Sequence, residues 1–394
     1  MRIRSKFVTG AVVLAAAASL AAVPAGAAPS GQEQGYGKTA LQHDADAIAA
    51  FGVAGVQART TGPGGRSVVA SSGVSDIETN RPVPPSAYFR MGSNNKTFVA
   101  TVVLQLVGEG KLRLDDTVER WLPRVVQGNG NRGDKITIRQ LLQHTSGISD
   151  EGYPGFDSPE EYYAHRYDIR TPEEVVALAM QHKPMFEPGQ GWSYSNTGYA
   201  ILGLVIQKVT DRPWYEEVNN RIIRPLHLNH TIWPGTSPSL PHPHLRGYQR
   251  FESGGPLVDV TDLIDADASG GLISTTADLD RFFRALLGGK LLRPELLKQM
   301  QRTVPVDEET NQILPGARYG LGLFSRPLSC GGTYWTHGGD QLGYRTRNGV
   351  TDDGRHSVVV AMSTQFNQMD STLGQEKLAH TLVENALCQE RTSG

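Results

Sequence analysis

Hydrophobic and polar positions change their period along the chain. LQHDADAIAAFG, near the N-terminus, spaces its apolar residues as a helix does, and the runs at 53–58 and 66–74 then alternate as strands do. Between residues 333 and 364, TYWTHGG, GYRTRNGVT and HSVVVAMST alternate again, separated by turn residues. Leu378, Leu382 and Ala386, beside Ala379, Val383 and Leu387, then line one face of a closing helix. From about 97 to 300 the pattern is helical and is broken by Pro/Gly loops such as YPGFDSPEE and PGTSPSLPHPH, with no repeat period. Strand-like ends around a helical middle predict an α/β (α+β) fold. Its antiparallel sheet is flanked by helices and drawn from both chain ends (about 39–96 and 270–388), with a mostly α-helical insertion at about 97–269.

The first residues form a separate pattern. Arg2, Arg4 and Lys6 precede an Ala-rich apolar core, and Ala25-Gly26-Ala27 fits a small-residue cleavage site, so residues 1–27 read as a secretory signal peptide. Residues 28–38 then form a loose mature N-terminus, and the expected location is extracellular. No cysteine follows the cleavage site, which argues against a lipid anchor, and no later run is long and apolar enough to span a membrane. Losing the three leader cations takes the formal charge from −2 to −5. Without a basic stripe, nucleic acid is not an expected partner. In an exported chain the two cysteines, Cys330 and Cys388, read as one disulfide with a structural role. No feature asks for a second copy, so a monomer is expected.

Familiar chemical signatures are missing. There is no G-x-S-x-G elbow and no H-E-x-x-H helix. GNGNRG at 128–133 matches G-x-G-x-x-G by letter but lacks the strand-to-helix context, and reads as a surface loop. GYGKT at 35–39 has Gln32 where a phosphate loop needs its first glycine. His242 and His244, even with His227 and His230, lack a recognisable ligand spacing, and Asp259, Asp262, Asp265 and Asp267 lack the glycine-fixed calcium loop. No metal and no cofactor is expected.

What remains is MGSNNKTFVATVVLQLV at 91–107, a polar first turn leading an apolar helix. Ser93 and Lys96 are three residues apart, on one helical face. A serine there lies at the positive end of the helix dipole, and a buried lysine loses proton affinity and can take the serine proton. Taken alone, the pair also fits a capped helix with a solvated lysine. Two further elements change the reading: Tyr194-Ser195-Asn196 before a second apolar helix, and His337-Gly338-Gly339 at the end of a strand-like run. A tyrosine at such a turn shuttles a proton if a lysine lowers its pKa. Glycines at a strand end let a substrate backbone approach.

Ser-x-x-Lys, Tyr-x-Asn and His-Gly-Gly, in this order, resemble the penicillin-recognising serine hydrolases, in the branch of class C β-lactamases, secreted D-alanyl-D-alanine carboxypeptidases, D-aminopeptidases and related esterases. LLQHTSGI, FEPGQGWSYSNTGYAILG, GGLISTTADLDRF and YGLGL extend the resemblance over about residues 39–388, and the secreted carboxypeptidases look most similar. The resemblance implies a β-lactamase/transpeptidase-like fold at 39–394. It implies Ser93 as acylated nucleophile and Lys96 as its base. Tyr194 would protonate the leaving amine and then activate the deacylating water. Asn196, His337, Gly338 and Gly339 would bind substrate, with His337 supporting Tyr194 and the substrate's anionic end. The backbone N–H groups of Ser93 and Asp340 would form the oxyanion hole.

The implied activity is serine-type D-Ala-D-Ala carboxypeptidase on a small peptide, amide or ester, such as a peptidoglycan stem peptide, with β-lactams as covalent ligands. The alternatives are a D-amino-acid amidase, aminopeptidase or esterase, and, from another class, a non-catalytic penicillin-binding or sensor module. Three departures stand against the family pattern. Asn95 replaces a hydroxyl residue beside Lys96, Gly338 replaces the threonine of His-Thr-Gly, and Phe324 stands where the carboxypeptidases place a carboxylate-gripping arginine. Arg326, Arg345 and Arg347 are the candidates to compensate.

Overall fold

The computed structural model describes residues 36–265 and 267–388. The expected signal peptide at 1–27 lies outside them, as do residues 28–35 of the expected loose stretch. Its described end is held in place, because Tyr36 is buried and its hydroxyl donates to Asp44 at 2.5 Å.

Helix α1 (Lys38–Ala50) leads into strands β1 (Gly55–Thr61) and β2 (Ser67–Asp76). Strands β3 (Phe324–Pro327), β4 (Thr333–Thr336), β5 (Gly339–Gln341), β6 (Tyr344–Thr351) and β7 (Ser357–Met362) come from the other end of the chain. The centre of the sheet runs β3-β4-β6-β7-β1-β2, antiparallel throughout, with β5 paired to β6 off this path and short two-residue strands extending both edges. The seam is β1 against β7, from Val56 opposite Met362 to Thr61 opposite Ser357. The sheet is therefore antiparallel, helix-flanked and built from both ends, as expected.

Period-two alternation assigns the faces. Val358, Val360 and Met362 of β7 join Val56 and Ala58 of β1 in a core with α1 and the closing helix α5 (Met369–Cys388). Leu41, Ala45 and Ile48 from α1 meet Ala379, Leu382, Val383, Ala386 and Leu387 from α5, while Leu378 sits at the margin. Val359 and Ala361 face the opposite way, into the larger core with Leu279, Phe282, Phe283 and Leu286 of helix α4 (Thr276–Leu287). With both faces covered, every residue of β7 is buried.

The larger core also holds α2 (Asn95–Gly108) and α3 (Asn196–Thr210). Helix α2 is buried on all sides from Asn95 to Leu104, as its nearly unbroken apolar sequence requires. Three strands at one sheet edge, Val304–Pro305, Arg318–Tyr319 and Phe324–Pro327, were not signalled by alternation because they are only two to four residues long. GNGNRG is a surface feature, but an ordered one, a two-residue hairpin pairing Gln127 with Arg132 and Gly128 with Asn131.

Cys330 and Cys388 form a disulfide across a separation of 58 residues, tying the end of α5 to the turn before β4. Loop-closure entropy for that separation puts the bridge at about 4 kcal/mol. Replacing both cysteines by serine should lower the urea midpoint accordingly, and reduction should change the mobility of the wild-type chain on a denaturing gel. Unchanged mobility would argue against the bridge.

Candidate active site

Four separate segments meet at Ser93. It lies in a single 3-10 turn, Gly92–Asn94, that runs directly into α2, so Lys96 stands one turn further along. Lys96 is fully buried, and its Nζ is 3.0 Å from Ser93 Oγ, 2.6 Å from Asn196 Oδ1 and 3.0 Å from the Ser269 carbonyl oxygen. The last two atoms can only accept. A neutral amine satisfies both with its two N–H groups and keeps its lone pair for the Ser93 hydroxyl. Burial brings Lys96 down to about 8, with the Asp267, Asp150 and Asp265 carboxylates opposing the fall.

Each acceptor is itself anchored. Asn196 opens α3, where Asp150 accepts from its backbone N–H at 2.5 Å, from the Thr197 N–H at 3.0 Å and from the Ser195 hydroxyl at 2.9 Å. The Ser269 carbonyl belongs to a loop fixed by Tyr153, which donates to Asp267 at 2.5 Å and lies 2.9 Å from Ser269 Oγ. Asn95, the unexplained departure, points away from the proton pathway. Its Nδ2 donates at 2.7 Å to the Ala268 carbonyl, holding the same loop one peptide earlier. Asp150, Tyr153 and Asp267 carried no motif. Of the four aspartates that lack a calcium-loop pattern, Asp265 and Asp267 stand close enough to act on Lys96.

Tyr194 lines the same cavity as Ser93, and Lys96 Nζ lies 4.8 Å from its ring centroid. Burial nevertheless pushes the phenol well above its ordinary value. The expected lowering by lysine therefore does not occur, and the resting group is a proton donor.

His337 departs further from expectation. Its Nδ1 is 2.7 Å from the Gly338 carbonyl, which can only accept, so Nδ1 carries the hydrogen. Its Nε2 then accepts from the Tyr319 hydroxyl at 3.0 Å. Burial, with Lys96 and Arg347 adding to it, lowers His337 to about 3, so the ring is neutral. It supplies no cation for an anionic substrate end, and its partner is Tyr319 rather than Tyr194.

The glycines act on packing. A Cβ on Gly339 would collide with the Met91 carbonyl oxygen, so the missing side chain seats β5 on the turn that carries Ser93. That seating brings the Asp340 backbone against Gly92, the residue before Ser93. A Cβ on Gly338 would lie 2.9 Å from an Arg347 guanidinium nitrogen. Arg347 is held there by Glu376 at 2.6 Å and Asp340 at 2.9 Å, and Arg345 also pairs with Asp340 at 3.0 Å. Against the pull of burial, these two arginines keep the Asp340 carboxyl well below its usual range. Arg345 and Arg347 are thus spoken for.

Ser93, Tyr194, Asn196, His337, Gly338 and Asp340 line one cavity of about 400 Å3, whereas Gly339 does not. Phe324 and Arg326, two apart on the same face of β3, line it as well. Phe324 packs 4.4 Å from the Tyr319 ring and 5.4 Å from His337, which makes that wall apolar. Arg326 is 6% exposed, and its Nε has no hydrogen-bond partner among the described residues. His242 and His244 lie outside this cavity and stack on each other at 4.6 Å.

A family model for Beta-lactamase matches residues 44–382. The chain belongs to the beta-lactamase family. Within it, the chain is similar to a D-stereospecific amidohydrolase from Streptomyces sp., at 40% identity and a TM-score of 0.77 over 86% of this chain and 98% of that one. It is also similar to the D-amino acid amidase of Ochrobactrum anthropi SV3, solved with L-phenylalanine amide, at 26% identity and a TM-score of 0.77 over 90% and 98% of the two chains. PbpX of Bacillus subtilis (strain 168), which carries a penicillin-binding name, is 27% identical over 72% of this chain and 64% of its own length. The chain spans about half to two thirds of the curated relatives it matches first.

Two results test this geometry. A fluorescent penicillin should label the wild type covalently and leave Ser93→Ala unlabelled. Gly338→Thr, which restores the family's threonine, should cost about 1–3 kcal/mol in urea unfolding because it overpacks Arg347. The cost should shrink in the Gly338→Thr/Arg347→Ala double variant, whereas additive losses would contradict the steric link.

Proposed function

We propose that this beta-lactamase-family chain is an exported hydrolase that cleaves D-configured amides and short peptides through an acyl-enzyme on Ser93. The observation that carries the reading is the Lys96 amine, held by two obligate acceptors with Ser93 Oγ as its third neighbour at 3.0 Å. Lys96 takes the serine proton. The backbone N–H groups of Ser93 and Asp340 receive the developing oxyanion, an effect worth about 3–4 kcal/mol for one such donor. Tyr194, protonated at rest, gives its proton to the departing amine and recovers it from the deacylating water. Asn196 commits its oxygen to Lys96 and offers its N–H2 to the substrate carbonyl side.

Two finer activities fit this chemistry. Amide substrates without a carboxylate next to the scissile bond are favoured by Phe324, by neutral His337 and by the hydroxyl missing at Gly338. The likeness to a D-stereospecific amidohydrolase and a D-amino acid amidase supports the same choice. The D-alanyl-D-alanine carboxypeptidase reading rests on Arg326. It faces the same cavity while the carboxylates of Asp340 and Glu376 are taken by other arginines. Export rests on the residue pattern at 1–27 and on the disulfide. The monomer belongs to the same proposal, although one similar structure, a penicillin-binding protein homologue from Pyrococcus abyssi, is octameric.

Hydrolysis of D-phenylalanine amide, L-phenylalanine amide and an acyl-D-Ala-D-Ala peptide separates these readings. The amidase reading expects the D-amide to be cleaved well ahead of the L-amide, with little D-Ala release. Dominant D-Ala release, abolished by Arg326→Met, would favour the carboxypeptidase. Tyr194→Phe should slow amide acylation by about 10²–10⁴, the usual range for losing a general acid. Penicillin labelling without turnover of any substrate would favour the non-catalytic module.

A further inference from the structure

His144 takes no part in the chemistry above, yet it holds the tyrosine from three sides. It is buried, and its φ of 61° is left-handed, a conformation uncommon for a residue with a side chain. Its backbone carbonyl accepts from the Ser193 N–H at 3.0 Å, and its ring Nδ1 accepts from the Ser195 N–H at 3.1 Å. One residue thus binds the peptide on either side of Tyr194. The imidazole also lies against the tyrosine ring, with centroids 4.3 Å apart and planes tilted by 35°. On its other sides it meets Tyr319 at 4.7 Å, Tyr199 at 5.4 Å and Trp192 at 5.7 Å.

Since Nδ1 accepts, the neutral ring carries its hydrogen on Nε2, which is buried without a hydrogen-bond partner among the described residues. An unsatisfied buried donor and a left-handed backbone both cost free energy, and such costs persist where the surroundings enforce them. Here the enforced arrangement turns both acceptors of His144 toward the segment that carries the phenol.

We propose that His144 is the positioning residue for Tyr194, holding the phenol over the cavity it shares with Ser93 so that it can protonate a departing amine. This rests on the acyl-transfer reading of the site. A clamp on the proton donor has a specific consequence. An amide must have its nitrogen protonated to depart, whereas nitrophenolate departs without help, so loss of the clamp separates the two acylations.

The test measures single-turnover acylation by D-phenylalanine amide, and the nitrophenolate burst from the corresponding nitrophenyl ester, in wild type, His144→Ala and His144→Asn. His144→Ala should slow amide acylation by about tenfold or more, within what a misplaced general acid costs, and leave the burst within about threefold. Asparagine tolerates the left-handed backbone and places an acceptor oxygen near the position of Nδ1. His144→Asn should therefore recover most of the amide rate. If His144→Ala does not fold, His144→Phe, which keeps a flat ring without the acceptor, should show the same selective loss. Equal losses on both substrates, or an unchanged amide rate, would overturn the assignment. A wild type inactive on both substrates would refute the acyl-transfer reading itself, before any variant is compared.

Discussion

The architecture of the site depends on a lysine that is out of water. A charged ammonium in a dry interior is costly, and the cost is met by lowering the proton affinity and supplying acceptors. Lys96 has both, and each supplier is anchored from elsewhere in the chain. Asn196 is set by Asp150 at the start of α3, and the Ser269 carbonyl by Asn95, Tyr153 and Asp267. The buried α2 turns local spacing into chemistry, because it places the amine one turn from the nucleophile and closes it off from solvent.

A second constraint links the third motif to substrate choice. Gly338, Arg347, Asp340 and Glu376 form one steric and ionic unit, since the guanidinium lies where a side chain at position 338 would have to go. The missing threonine hydroxyl then follows from that packing, and Phe324 supplies an apolar wall beside the neutral His337. That side of the cavity is a packed surface, with Arg326 as a buried cation along the same strand face as Phe324.

Much of this was legible in the residues. Alternation located β1, β2, β4, β6 and β7, and the apolar rows of α5 pointed to the face it buries. The order of Ser93-x-x-Lys96, Tyr194-x-Asn196 and His337-Gly338 brought together residues that do line one cavity. The supporting residues were not legible, because their partners are far along the chain. Asn95 reaches a carbonyl 173 positions away, and Asp150 acts 46 positions on. The protonation states were hidden for the same reason. Tyr194 and His337 owe theirs chiefly to burial, which no motif reports.

The lowered proton affinity of Lys96 can be measured without substrate. Carbon-13 labelling of lysine Cε, with Lys96→Met to assign the signal, allows its titration to be followed by NMR in the Ser93→Ala background and in the wild type. The account predicts a midpoint near 8 in the wild type, with the signal of a free base above it. A midpoint at the ordinary lysine value of about 10.4 would contradict it and remove Lys96 as the base.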